Sequence, residues 1–206
     1  MKTNEKLKIA IVYHSGYGHT KVVAERILQG ASHIIPDVQL LTSKSAIEQD
    51  HLLQEADTIV FGSPTYFGNV SAEFKLFMES TGRVWAQQRW KNKLAAGFTN
   101  SSSRNGDKLN TLTNLALFAA QHGMLWVPLG ILPQYDASGK QLSEPNGMAS
   151  YLGLMTLSNN SHDEFHEPAD LLTAELFGQH IATLTHQLKG DSRMQTKLVT
   201  SLTSNQ

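Results

Sequence analysis

The sequence contains no cysteine. Disulfides, thiolate nucleophiles and Cys-ligated zinc or iron–sulfur clusters are therefore excluded. Nor does charge of one sign dominate: 17 Lys and Arg stand against 18 Asp and Glu, a formal net charge of −1. That balance speaks against nucleic acid as a partner, which requires a basic face. It also speaks against a carrier that meets its redox partners through a strongly acidic surface. No apolar run approaches the roughly 20 residues that span a bilayer, so no integral membrane contact is expected. The opening Met1–Lys6 passes straight into a strand-like run, without a signal-type apolar region and cleavage site. A cytoplasmic protein is the expectation. What is present, 206 residues of which 40% are hydrophobic, suffices for one domain with a packed core.

Apolar runs alternate with helical patterns, the signature of an α/β fold built on a parallel sheet. Strands are expected at Lys8–Tyr13, Val38–Leu41, Thr58–Gly62, Leu94–Thr99 and Met124–Val127, the last continuing through Leu129–Leu132 past Pro128. Helices are expected around Val22–Ala31, Ala46–Ala56, Ser71–Ser80, Leu109–Ala119 and Ala169–Leu188. Pro133–Pro168, rich in Gly, Ser, Asn and Pro, reads as one long excursion. Five such units predict a flavodoxin-like three-layer sandwich, a five-stranded parallel sheet of order 2-1-3-4-5. Residues 1–190 form a single domain in this reading, and 191–206 a polar C-terminal tail.

In such a sheet, ligands bind beyond the carboxyl ends of the strands. Three loops there carry chemistry. Ser15-Gly16-Tyr17-Gly18-His19-Thr20 joins a buried strand to a helix, where free amides and the positive helix end favour an anion. No Gly-Lys-Ser/Thr ends it and no third glycine completes a dinucleotide fingerprint, so a terminal phosphomonoester fits best. A plain Ser/Gly turn is the structural alternative. In Ser63–Asn69, Pro64 fixes an extended turn, and Tyr66 and Phe67 suit a planar apolar ligand, or else staple the next helix. Thr99–Asp107, with Asn100, Ser101, Asn105 and Gly106, offers donors to a polar ring edge, or forms a solvated loop ending in an Asp cap. His122 before Gly123 suits a helix C-terminus. The one local group of ligand-type residues, His162, Asp163, Glu164 and His166, lies in loop-like sequence, and no metal is expected.

Together these loops resemble the flavodoxin-like FMN proteins of the WrbA type, the NAD(P)H:quinone oxidoreductases, from about Lys8 to Leu188. Ser15–Thr20 looks like the family's phosphate loop. Gly62-Ser-Pro-Thr-Tyr-Phe-Gly-Asn69 looks like its flavin-lining motif, and Gln121-His-Gly-Met124 with Val127-Pro-x-Gly130 like its segment leading into strand five. The resemblance implies FMN held without a covalent bond, its phosphate on Ser15, Tyr17, Gly18, His19 and Thr20. Pro64, Thr65, Tyr66, Phe67 and Gly68 would contact the ring and ribityl chain, and Thr99, Asn100, Ser101, Asn105, Gly106 and Asp107 the pyrimidine edge. It further implies His122 as the catalytic residue, Trp85 and Tyr66 on the substrate side, and two-electron transfer from NADH or NADPH to a quinone or related acceptor by a homodimer or homotetramer. A flavodoxin-type electron carrier without its own substrate is the alternative. The chain departs from the family in carrying Tyr66 where the nearest members carry Arg, and in lacking the long insertion of tetrameric members after strand two.

Overall fold

Lys8–Tyr13 forms β1, and its alternation decides the layers: Ile9, Ile11 and Tyr13 enter one core, Ala10 and Val12 the other. A strand buried on both faces belongs at the centre of a parallel sheet. In this computed structural model, which describes residues 6–159 and 166–190, β1 is flanked by β2 (Asp37–Thr42) and β3 (Thr58–Tyr66), both parallel to it. Beyond β3 lies β5 (Leu94–Ser101), and the short hairpin strand β4 (Asn69–Val70) folds back on β3. One face carries α1 (His19–Ser32) and α7 (Pro168–Thr185), with Val23, Ile27, Phe177 and Ile181 in the core. The other carries α2 (Ser43–Glu48), α3 (Asp50–Glu55), α4 (Ala72–Ser80) and α6 (Lys108–Gln121), over Phe61, Phe74, Phe77, Trp90 and Phe118. A short α5 (Gly82–Ala86) follows α4.

The α/β flavodoxin-like architecture is as read from the sequence, but the sheet differs at its edge. It has seven strands, with the path β2-β1-β3-β5-β6 and with β4 and β7 paired to β3 and β5 off that path. The fifth position is shared by two pieces. β6 (Leu125–Trp126) pairs with Leu94 and Ala95, and β7 (Leu154–Leu157) pairs with Phe98 to Ser101. The expected continuation Leu129–Leu132 leaves the ladder because Pro128 has no N–H to donate. The chain returns only at Leu154, inside the stretch read as a loop; four residues between Gly153 and Ser158 are too short for a periodic signal. The expected helix Ala46–Ala56 is two helices, broken at Gln49. The tail 191–206 and the residues 160–165 lie outside the described residues. Among those described, no helix is long and apolar enough to cross a membrane.

Candidate functional site

The loops after β1, β3 and β5 meet at the carboxyl end of the sheet around a cleft of about 710 Å³, well within the size range of small-molecule sites. Its first wall is the start of α1. Gly18, the N-cap, precedes the helix at φ 91, a left-handed conformation open to a residue without a Cβ, and has no side chain of its own to cap the first turn. That turn carries no acidic residue of its own, and the positive end of a 14-residue helix borders the cleft through His19 and Thr20. The Ser15 hydroxyl oxygen accepts from the Lys21 amide at 3.2 Å. Thr20, 1% exposed, lines the cleft. From the other side, the buried His166 sets Nε2 2.9 Å from the His19 carbonyl oxygen and Nδ1 3.2 Å from that of Leu157; the neutral ring donates to one of the two, according to its tautomer, and sits between the helix start and β7.

The second wall is not a loose loop. β3 runs through Pro64 to Tyr66 and returns as β4, with Thr65 opposite Val70 and Tyr66 opposite Asn69. The two residues between them, Phe67 at φ 50 and Gly68 at φ 73, have the positive φ values that a tight two-residue hairpin needs. A left-handed phenylalanine costs about 1–2 kcal/mol against the right-handed form, yet Phe67 is fully exposed at the hairpin tip. Tyr17, 79% exposed, rises from the first wall. Two uncovered aromatics bordering one cleft are what a planar ligand would use.

The third wall is Asn100–Ser103 with Gly106 and Asp107. Asn100 is fixed by Thr156, whose hydroxyl donates to its Oδ1 at 3.0 Å, and it donates in turn to the Ser158 hydroxyl at 3.1 Å. Beneath the floor, the hydroxyls of Thr65, Thr99 and Thr111 form a buried chain with spacings of 2.7 and 2.8 Å. Thr65 is thereby held rigid.

The cleft thus brings together Ser15, Tyr17, His19, Thr20, Pro64, Thr65, Tyr66, Phe67, Gly68, Asn100, Ser101, Gly106 and Asp107. Gly18, Thr99 and Asn105 stand just outside its lining, Thr99 acting through Thr65. Sequence reasoning missed Ser158 because β7 itself carried no signal. Of the ligand-type group in the excursion, His162, Asp163 and Glu164 lie outside the described residues.

Two site expectations are corrected. α6 begins at the cleft with Lys108 and runs 14 residues to Gln121, so His122 lies about 20 Å away, at the end of the sheet where Leu94 pairs with Leu125. There it is 1% exposed, its ring 4.4 Å from that of Trp90 and 4.7 Å from that of Phe118. Nε2 lies 3.0 Å from the Thr81 hydroxyl, and Nδ1 has no partner among the described residues. Trp85 sits at the same far end, half exposed on α5, where the Gln88 amide donates to the carbonyls of both Trp85 and Gln121. Neither residue reaches the cleft of its own chain.

Burial pushes the His122 imidazole down to about 4. The unfolded chain takes up a proton near pH 6.5 that the folded chain refuses until about pH 4, so stability falls as pH drops through that window, by roughly 3 kcal/mol in all. Urea midpoints at pH 7 and pH 4.5 measure the loss. His122→Asn should reduce the difference between the two midpoints by more than half; an unchanged difference would assign the acid sensitivity to other groups.

Comparison with known proteins gives four findings. A family model described as NADPH-dependent FMN reductase matches residues 42–133. Flavodoxin FldP of Pseudomonas aeruginosa (strain UCBPP-PA14) is 37% identical over 182 residues, covering 88% of this chain and 98% of that protein. The NAD(P)H dehydrogenase (quinone) of Chromohalobacter salexigens is 28% identical over 203 residues, covering 89% and 99%. Among solved structures, a WrbA-like flavodoxin from Agrobacterium tumefaciens superposes with a TM-score of 0.70 at 36% identity, covering 88% of this chain and 98% of that one.

Proposed function

This chain belongs to the flavodoxin-like WrbA/FMN-reductase family, and from that premise we propose an FMN-dependent oxidoreductase that passes two electrons from NADH or NADPH to a quinone or similar acceptor. One observation carries the reading: a helix start with no acidic residue in its first turn, two exposed aromatics and a polar wall converge on a single cleft. Each suits a different part of FMN. The amides of His19 and Thr20, with the hydroxyls of Ser15, Tyr17 and Thr20, would hold the phosphate. Thr65, Tyr66, Phe67 and Gly68 would hold the ribityl chain and ring, and Asn100 to Asp107 the pyrimidine edge.

Bound FMN supplies the capacity to accept two electrons with a proton and to hand them on. The chain's own work is to fix, to cover and to expose. The Thr65–Thr99–Thr111 hydroxyl chain keeps the floor from shifting between states. Phe67 and Tyr17, exposed at the mouth, would cover the apolar surface of a bound ring, and no protein nucleophile is needed, which suits a chain without cysteine. One domain, residues 1–190, carries all these parts, and the cytoplasm is where its donor is available. Leu109, Leu117 and Leu125, all exposed along α6 and the edge strand, support association of two or more copies.

Purified protein saturated with FMN should oxidise NADH or NADPH rapidly when benzoquinone is added; no acceleration by the protein with either donor sinks the enzymatic reading. The name of the Pseudomonas relative favours a second one, an electron carrier. A reductive titration separates them: two electrons taken up in one step point to the enzyme, two resolved one-electron steps to the carrier.

A further inference from the structure

The third wall of the cleft hides a charge. Lys108, the first residue of α6, is 0% exposed, although an ammonium is among the most costly groups to remove from water. Its Nζ donates to the Ser103 carbonyl at 2.8 Å and to the Ser101 hydroxyl at 3.3 Å, and that hydroxyl donates to the same carbonyl at 3.0 Å. Ser101 and Ser103 both line the cleft. The ammonium is therefore one residue deep behind the wall.

A loop staple does not require a cation. No carboxylate among the described residues lies within ion-pair distance of Nζ. The nearest influence of that kind is Asp170, buried in the first turn of α7, whose carboxylate accepts from the Leu157 amide at 2.7 Å. Arg104, on the same loop, adds a like charge. Burial holds the Lys108 ammonium down to about 8, with Asp170 opposing the fall and Arg104 adding to it, so most of the charge is present at pH 7. The contact also sets direction. In a trans peptide the C=O and the following N–H point opposite ways, so tying the Ser103 carbonyl to Lys108 turns the Arg104 amide away from it.

We infer that Lys108 is a built-in counter-charge for the reduced cofactor, a positioning residue that acts through Ser101 and Ser103 to make the cleft bind reduced FMN more tightly than it otherwise would. This rests on the FMN reading above. Hydride transfer moves two electrons and one proton from NAD(P)H to FMN and releases NAD(P)⁺, leaving the flavin with one added negative charge. A fixed, water-excluded cation beside that charge stabilises the product state and not the neutral ring. A residue that merely braced the loop would affect both states alike.

The test is the ratio of dissociation constants for oxidised and dithionite-reduced FMN, measured anaerobically on the full chain. Lys108→Gln keeps a donor for the Ser103 carbonyl but removes the charge; Lys108→Arg keeps the charge. The glutamine variant should bind oxidised FMN within threefold of the wild type and raise the ratio of reduced to oxidised dissociation constants at least tenfold, which lowers the two-electron midpoint potential by about 30 mV or more. The arginine variant should keep the wild-type ratio within threefold. Equal weakening of both forms by Lys108→Gln overturns the inference and leaves a loop staple. Should Lys108→Gln hold no FMN, Lys108→Arg at pH 9 decides: a guanidinium stays charged there while the wild-type ammonium, held down to about 8, is mostly lost, so the arginine variant should favour reduced FMN more than the wild type does, and equal ratios count against the charge. Wild-type protein that takes up no FMN fails the cofactor reading itself, a distinct result from a cofactor bound with an unmoved ratio.

Discussion

Replacing Thr20 with glutamate abolishes FMN uptake at concentrations that saturate the wild-type protein. The residue is 1% exposed in the first turn of α1, on the cleft wall, with no acidic neighbour in that turn. A carboxylate there meets a phosphate carrying up to two negative charges. It also competes for the amides that the phosphate would use. One pair of unit charges about 4 Å apart at an effective dielectric of 20 repels by about 4 kcal/mol, which corresponds to roughly a thousandfold in affinity. Quenching of FMN fluorescence reads the change directly. Thr20→Val, nearly the same shape without the hydroxyl, should cost about 1 kcal/mol, or about fivefold in affinity. A carboxylate at so buried a position costs more in desolvation and crowding than the helix start returns, so the urea midpoint of the glutamate variant should fall, whereas that of Thr20→Val should stay near the wild-type value. Affinity within tenfold of the wild type in Thr20→Glu would mean that this helix start holds no phosphate.

That prediction stands on a loop readable without coordinates. A buried strand running into Ser15-Gly16-Tyr17-Gly18 and then a helix leaves the chain few options, since short glycine-bearing turns between such elements leave their amides outward. Tyr66 and Phe67 were legible as aromatics in an unusual place, but not as a hairpin tip. The pairing of Thr65 with Val70 depends on a strand, β3, that outruns its apolar run by four residues. Lys108 gave no sign at all, because a lysine opening a helix is ordinarily solvated and only tertiary packing around Ser101 and Ser103 encloses it. His122 fails for a different reason. Its neighbours Gln121 and Gly123 match a motif, whereas its distance from the cleft is set by the length of α6, which no motif encodes. β7 was invisible because four residues hold too little pattern, and its absence took Ser158 with it.

Gly178→Val should lower stability by about 2–4 kcal/mol, at the upper end of what overpacking costs, while Gly178→Ala should cost less than that. α1 and α7 touch backbone to backbone. A Cβ on Gly178 would stand 2.1 Å from the Ile27 carbonyl oxygen and 2.8 Å from the Ala31 nitrogen, and one on Gly30 would stand 1.9 Å from the Glu175 carbonyl oxygen. Ala174, Gly178 and Ala182, one helical turn apart, make the small-residue stripe that permits this approach. Alanine gains about 1 kcal/mol of helix propensity over glycine, which offsets part of its clash; valine's branch adds clash without that gain. Relief requires the helices to separate, and separation uncovers Ile27, Phe177 and Ile181. Since either glycine's replacement forces the same separation, Gly30→Ala and Gly178→Ala together should cost less than the sum of the two. The displaced helix is the one whose first turn borders the cleft, so FMN affinity should fall along with stability in these variants. In Thr20→Val, by contrast, affinity falls while stability is kept. Chemical denaturation beside FMN titration on the same samples separates the two patterns, and a Gly178→Val protein as stable as the wild type would refute the close contact.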